Sequence, residues 1–359
     1  MLGVFIMKKL LAMLLALVMV LSFAACGNEP SEPEVPSEPE TPAEPETPAE
    51  PEVTEATYTL GLGVVVNQSI EGKAQTNTTM AAVVLDAEGN IVAVDLDVAQ
   101  SNCPKTDAGV FVAEGFDPRT KTEKGSDYNM APASAISAEW DAQMAAFEAW
   151  ATGKTVDYIT GVELVESNGH MVAANEADLY AGCTMAIGDF QAAVADALNN
   201  TVEFTADSFK LGLGVVTTCS VTEATAEKAG SIQMYSDFAA VVTAEDGTIL
   251  AARLDAVQPA IGLNADGTLT AKEDLRSKYQ LKEGYGMTGA SPIGAEWYTQ
   301  ADAYCAYVVG KVVADLEAIE LVEHNGHMVA LNEADLYAGC TMQVGSYIEA
   351  TVKAVGYAD

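Results

Sequence analysis

The apolar positions of the chain fall into the same succession of blocks twice. Leu60-Gly-Leu-Gly-Val-Val65 and Leu211-Gly-Leu-Gly-Val-Val216 open the two copies. A second apolar run follows in each, at 80–85 and 238–243, and a third at 91–96 and 249–254. Between the second and third lie Asp86-Ala-Glu-Gly-Asn90 and Ala244-Glu-Asp-Gly-Thr248. Short apolar runs bounded by Gly, Asn and Asp predict strands joined as a hairpin. After a long polar, Gly-containing stretch the period changes. Trp140, Met144, Phe147 and Ala151 recur at helical spacing within 136–151, as do Trp297, Ala301, Tyr304 and Val308 within 293–309. Asn168-Gly-His-Met-Val172 and Asn325-Gly-His-Met-Val329 suit a closing turn or hairpin. A last amphipathic segment, 188–198 or 345–355, ends each copy.

The expected fold is therefore α+β, with two tandem copies of a small, mainly antiparallel sheet domain and packed helices. Their expected bounds are 58–207 and 208–359. The spacing between copies is 151 residues at the first block and 157 at the last, which places a small insertion near 226–237 of the second copy. Two copies are too few for a solenoid and suit tandem domains.

The chain before the repeats has another character. Lys8 and Lys9 precede an apolar run, 10–23, that ends in Ala24-Ala25-Cys26-Gly27. A charged start, a short apolar core and small residues are the secretory pattern, and the run is short for a spanning helix. Its ending resembles a bacterial lipobox, which makes 1–26 a lipoprotein signal peptide and Cys26 the lipidated residue. The alternative is an ordinary signal peptide cut near Ala25. Residues 27–57 read as a disordered Pro/Glu linker, because 28–57 hold ten Glu, eight Pro and no basic residue. Such a segment has little to bury and stays extended. At the ~3.1 Å per residue of polyproline II it reaches roughly 90 Å.

Charge narrows the partners. The formal net charge is −35, so nucleic acid is excluded as an expected partner while cations and basic proteins would be attracted. Against that background the few basic residues stand out where they recur. Arg119-x-Lys121 aligns with Arg276-x-Lys278, ahead of Tyr128-x-Met130 and Tyr285-x-Met287. Cations could face an anionic ligand and a tyrosine could stack on its ring; the same residues could also offset local acid at the surface. Ala133-Ser134 and Ala290-Ser291 suit ligand donors or helix caps, and capping is the favoured reading.

Beyond Cys26 there are Cys103, Cys183, Cys219, Cys305 and Cys340, an odd number with no CxxC, and of these Cys183 and Cys340 recur. No disulfide framework is expected. His170-Met171 and His327-Met328 suggest haem or metal, but neighbours on a strand point to opposite faces, so neither is expected. No Ser-His-Asp set, Walker loop, GxGxxG or zinc motif occurs, and no catalytic set is expected.

One stretch is repeated unchanged: Asp178-Leu-Tyr-Ala-Gly-Cys-Thr184 returns as Asp335-Leu-Tyr-Ala-Gly-Cys-Thr341. Each precedes the last amphipathic segment, and a small-residue turn entering a helix exposes free N–H groups suited to a phosphate. A duplicated buried connector would read the same. The seven residues resemble the Asp-x-x-(Ser/Thr)-Gly-Ala-Thr motif of FMN-binding domains whose flavin is attached by a separate flavin transferase. Ala181 and Ala338 stand where that family has Ser or Thr, and Cys183 and Cys340 where it has Ala. The resemblance implies a mainly antiparallel α+β fold and covalent FMN, two per chain, on Thr184 and Thr341. It makes Asp178 and Asp335 recognition or metal-contact residues, and Gly182 and Gly339 part of the cofactor loop. Tyr128, Tyr285, Arg119 and Arg276 complete the candidate binding set.

The function so implied is a lipid-anchored extracellular flavoprotein on the outer face of a Gram-positive-type membrane. It would relay electrons from a membrane donor to an extracellular acceptor such as ferric iron, as an electron carrier and not a self-standing enzyme. A flavin transferase would mature it. The alternative is a cofactor-free tandem binding or adhesion module of the cell envelope.

Overall fold

In a computed structural model of the chain, residues 56–167 and 169–358 are described. The expected signal peptide with Cys26, and the expected linker up to residue 55, lie outside them. The first copy runs β1 (Ala56–Ser69), β2 (Gln75–Leu85), β3 (Ile91–Asn102), α1 (Lys121–Lys124), α2 (Trp140–Ala151), α3 (Val156–Gly161), β4 (Val165–Ser167), β5 (His170–Val172), α4 (Ala177–Tyr180) and α5 (Gly188–Asp196). A connecting strand follows, β6 (Thr201–Ala206). The second copy repeats the order with two added strands, as β7 (Lys210–Thr222), β8 (Gly230–Thr243), β9 (Ile249–Val257), the added β10 (Ala260–Leu263) and β11 (Leu269–Thr270), then α6 (Lys278–Leu281), α7 (Trp297–Val308), α8 (Val313–Glu317), β12 (Val322–His324), β13 (His327–Val329), α9 (Ala334–Tyr337) and α10 (Gly345–Tyr357). The mixed α+β architecture with small antiparallel sheets is the one expected.

The first sheet has the order β3-β2-β1-β6, all antiparallel, with β1 paired to β2 from Thr59↔Leu85 to Ser69↔Gln75. In the second, β8 pairs β7 along one edge and β9 then β10 along the other. The insertion lengthens the β7–β8 hairpin, whose pairing runs out to Thr222↔Ser231.

The glycines of Leu-Gly-Leu-Gly have a packing reason. A Cβ on Gly63 would sit 2.0 Å from the Ala193 carbonyl oxygen, and one on Gly214 2.0 Å from that of Ala350. Only a bare backbone lets the closing helices α5 and α10 lie this close on β1 and β7. Leucines between the glycines face the other way. Leu60, Leu62, Leu211 and Leu213 are buried in one apolar cluster that takes residues from both copies, with Phe204 of β6 and Phe238 of β8. The copies thus share a core, and the described residues fall in one compact unit.

Polar contacts cross between the copies in a reciprocal pattern. Asp196 Oδ2 accepts from the Val64 N–H at 3.0 Å and from Gln280 Nε2 at 2.8 Å. The position equivalent to Asp196 is Lys353, whose Nζ donates to the Val215 carbonyl and to Glu123 Oε1, both at 3.0 Å. Each copy's closing helix therefore touches its own first strand and the other copy's short helix.

The helices α2 and α7 start four residues later than the 136 and 293 expected. Ser134 Oγ accepts from the Ile136 and Ala138 N–H groups, and Ser291 Oγ from those of Ile293 and Ala295. This turn holds Ser137 at φ 52° and Gly294 at φ 62°, outside the helical region, and the helices begin only after Glu139 and Glu296.

Candidate functional site

Each copy has a cleft between its sheet, its long helix and the loop that carries the repeated motif. The second has a volume of about 630 Å³ and the first about 380 Å³, within the ~300–1,000 Å³ of small-molecule sites. Ten lining residues of one cleft recur in the other at a constant separation of 157, and six of them carry polar or aromatic chemistry. Lys121, Tyr128, Trp140, His170, Tyr180 and Thr184 line the first cleft. Lys278, Tyr285, Trp297, His327, Tyr337 and Thr341 line the second.

Local structure puts each in place. Thr120 and Glu123 form a capping box, as do Ser277 and Gln280, which starts α1 and α6 and sets Lys121 and Lys278 at their first positions. One-turn 3-10 helices, Gly125–Tyr128 and Lys282–Tyr285, carry the tyrosines. In the hairpins β4–β5 and β12–β13, His170 and His327 turn to the clefts while Met171 and Met328 stay exposed. Adjacent strand residues do diverge here, as alternation requires.

The motif itself folds around α4 and α9. Leu179, Cys183, Leu336 and Cys340 anchor it in the core, each about 1% exposed. Gly182 and Gly339 pass so near α2 and α7 that a Cβ would meet the methyls of Ala146 at 2.7 Å and Ala303 at 2.8 Å. Small residues in the motif are needed for this approach, and the threonines then stand at the cleft. Thr341 gives both its N–H and its hydroxyl to Gln300 Oε1, at 2.8 and 3.1 Å. Thr184 does the same with Gln143 Oε1, at 3.0 and 3.2 Å. Both glutamines are fully buried, and each uses its amide protons on a serine hydroxyl and a backbone carbonyl. Ser134 and Ser291 hold these glutamines and are not the caps expected. The threonine hydroxyl proton is thus fixed on an acceptor, which leaves the oxygen's lone pairs for another group.

A cation lies in each wall among aromatic rings. Lys278 Nζ is 4.9, 5.1 and 5.4 Å from the ring centres of Tyr235, Tyr285 and Trp297, and donates to the Tyr235 hydroxyl at 2.9 Å. Lys121 Nζ is 4.9 and 5.4 Å from those of Tyr128 and Trp140. Burial pulls both ammonium groups down to about 8, so an anion brought beside either one would be favoured. The helices α5 and α10 begin beside the motif loop without a side-chain cap, at Ile187 and Val344. Their first N–H groups add positive character.

The clefts differ in one corner. Tyr347 replaces Phe190, Tyr235 stands where the first copy has Asn77, and Asp237 where it has Thr79. Asp237 is buried, its Oδ1 has no partner, and burial pushes its carboxyl up to about 6. Burial likewise pushes the Tyr235 and Tyr347 phenols up, and Trp297 Nε1 donates to the Tyr347 hydroxyl at 3.0 Å.

Of the residues read from sequence, the structure brings Thr184, Thr341, Tyr128 and Tyr285 to the clefts, with Gly182 and Gly339 behind the threonines. Asp178 and Asp335 are exposed in the first turns of α4 and α9 and line neither cleft. Arg119 is paired with Asp117 and Asp127, and Arg276 with Asp274, also away from the clefts. Gln143, Gln300, Trp140, Trp297, Tyr180 and Tyr337 were not singled out as site residues. Their recurrence at 157 residues was the available signal.

No protein-family model, curated protein or solved structure matches the chain.

Proposed function

We propose that this chain is an electron-carrying flavoprotein with FMN joined by phosphoester to Thr184 and Thr341. The observation that carries this reading is the pair of equivalent clefts, each lined by a threonine whose hydroxyl is held on a buried glutamine and by a lysine set among aromatic rings. The residues present fit the group. Lys121 or Lys278 and the uncapped helix starts suit its anionic parts, and the tyrosine and tryptophan of each wall suit its flat ring system. Bound FMN would supply reversible electron transfer; the protein supplies attachment, orientation and electrostatics.

The chain's own part is then limited and definite. Gln143 and Gln300 orient the threonine hydroxyls. The motif glycines set the loop against the long helix, and the lysines neutralise negative charge. The leader pattern and Cys26 suggest export and a lipid anchor, and the Pro/Glu segment a tether to the outer face of the membrane. A flavin transferase would load the protein, a membrane donor reduce it, and an extracellular acceptor such as ferric iron oxidise it.

Co-expression with a flavin transferase tests the reading. The chain is expected to be yellow and to stay fluorescent after denaturing electrophoresis. A colourless, folded protein under every co-expression would instead point to a cofactor-free binding module of the cell envelope.

A further inference from the structure

Two cysteines that have no counterpart in the other copy meet where the copies join. The position equivalent to Cys103 is Ile261, and that equivalent to Cys219 is Gln68. Cys103 directly follows β3 of the first copy and belongs to a small apolar cluster with Ala74 and Phe111. The same cluster takes Ile232, Met234 and Ile261 from the second copy, and Cys219 of β7 packs against it. Both thiols thus sit at one cluster that spans the two copies, where the Cys103 thiol donates to the Val112 and Pro104 carbonyls at 3.5 and 3.7 Å. Cys103 is buried and Cys219 half-buried. The other thiols of the repeats, Cys183, Cys305 and Cys340, are each buried in a core.

We propose that Cys103 and Cys219 form a reversible disulfide that staples the two copies together. The chemistry has a natural order. Cys219 is the more accessible, and the neighbouring Cys103 thiol holds its pKa below the ordinary thiol value, which favours its thiolate. The Cys219 thiolate attacks one sulfur of a low-molecular-weight disulfide, forms a mixed disulfide and releases one small thiolate. The Cys103 thiolate then attacks the Cys219 sulfur and releases the second. One S–S bond of the small molecule is reduced and one S–S bond of the protein is formed, so electrons and atoms balance. Cys103 gives up its proton to solvent in the second step.

The position matters to the cleft. Thr218 and Ser220 flank Cys219 on β7 and line the second cleft. A disulfide at Cys219 would tether the strand that forms this wall to the first copy. The inference stands on the cysteine pair and does not depend on the flavin reading.

The test uses the full chain and glutathione disulfide at mildly alkaline pH. Non-reducing peptide mapping is expected to show the segments of Cys103 and Cys219 joined, with an upward shift of the unfolding midpoint reversed by a dithiol. Cys103→Ser should trap a glutathione adduct on Cys219, formed at least about tenfold faster than on Cys183, Cys305 or Cys340. Cys219→Ser should leave Cys103 unmodified. Circular dichroism checks that both variants are folded. No cross-link, a cross-link through another cysteine, or an adduct forming first on Cys103 would overturn the proposal.

Discussion

Thr341 and Gln300 are joined twice, since one amide oxygen receives both the backbone N–H and the side-chain hydroxyl of the threonine. Replacing the glutamine therefore has two consequences. Gln300→Met keeps the side chain's length but leaves the buried Thr341 N–H without an acceptor. A loss of about 1–3 kcal/mol in urea unfolding is expected from that unpaired donor. The hydroxyl also loses its orientation, so attachment at Thr341 should slow while attachment at Thr184 keeps its rate. Equal rates at both sites would remove the glutamine from the account of how the threonine is presented.

The motif glycine makes a purely steric prediction. In Gly339→Ala the new methyl would lie 2.8 Å from Ala303 Cβ on α7. Overpacking of this kind costs about 1–3 kcal/mol, because loop and helix must part. Adding Ala303→Gly should recover part of the loss, which distinguishes a local clash from a backbone requirement. An unchanged melting temperature in the single variant would mean that the loop is free to shift.

The buried acid beside Tyr235 and Ser346 of the second cleft sets a pH dependence. Burial raises the Asp237 carboxyl to about 6 in the folded protein, from 3.8 for an ordinary aspartate. The folded state thus keeps a proton that the unfolded state releases between those values. The stability this confers is full below about 3.8 and is lost as pH rises through 6. Asp237→Asn cannot ionise, so the variant should gain on the parent across that window, by up to about 3 kcal/mol at neutral pH. Urea unfolding at several pH values measures it. A difference between variant and parent that does not change with pH would contradict the raised carboxyl.

Much of the fold was legible because duplication printed each element twice. The helical faces are an example, since Trp140, Met144, Phe147 and Ala151 are all buried on α2, and Trp297, Ala301, Tyr304 and Val308 on α7. The helix starts were not legible. Ser134 and Ser291 bind the backbone of the turn that follows and delay the helix, a local competition that hydrophobic spacing does not record. Nor was the packing of one copy on the other, which uses leucines that any strand could bury.

For the site, the threonines were found through their motif, whereas Gln143 and Gln300 escaped because they sit on the helices' apolar faces, where spacing suggests only core. Arg119 and Arg276 attracted attention as rare cations. Their partners were two residues upstream all along, in Asp117 and Asp274, and such exposed pairs belong to the surface.

The most direct test is the intact mass of the chain after co-expression with a flavin transferase, compared among parent, Thr184→Val, Thr341→Val and the double variant. Valine keeps the shape and removes the nucleophilic oxygen. Two FMN additions are expected on the parent, one on each single variant and none on a double variant that is colourless yet folded. Cys183→Ala and Cys340→Ala should keep both. Flavin that survives the double threonine change and disappears with the cysteine changes would place attachment on sulfur and contradict the assignment.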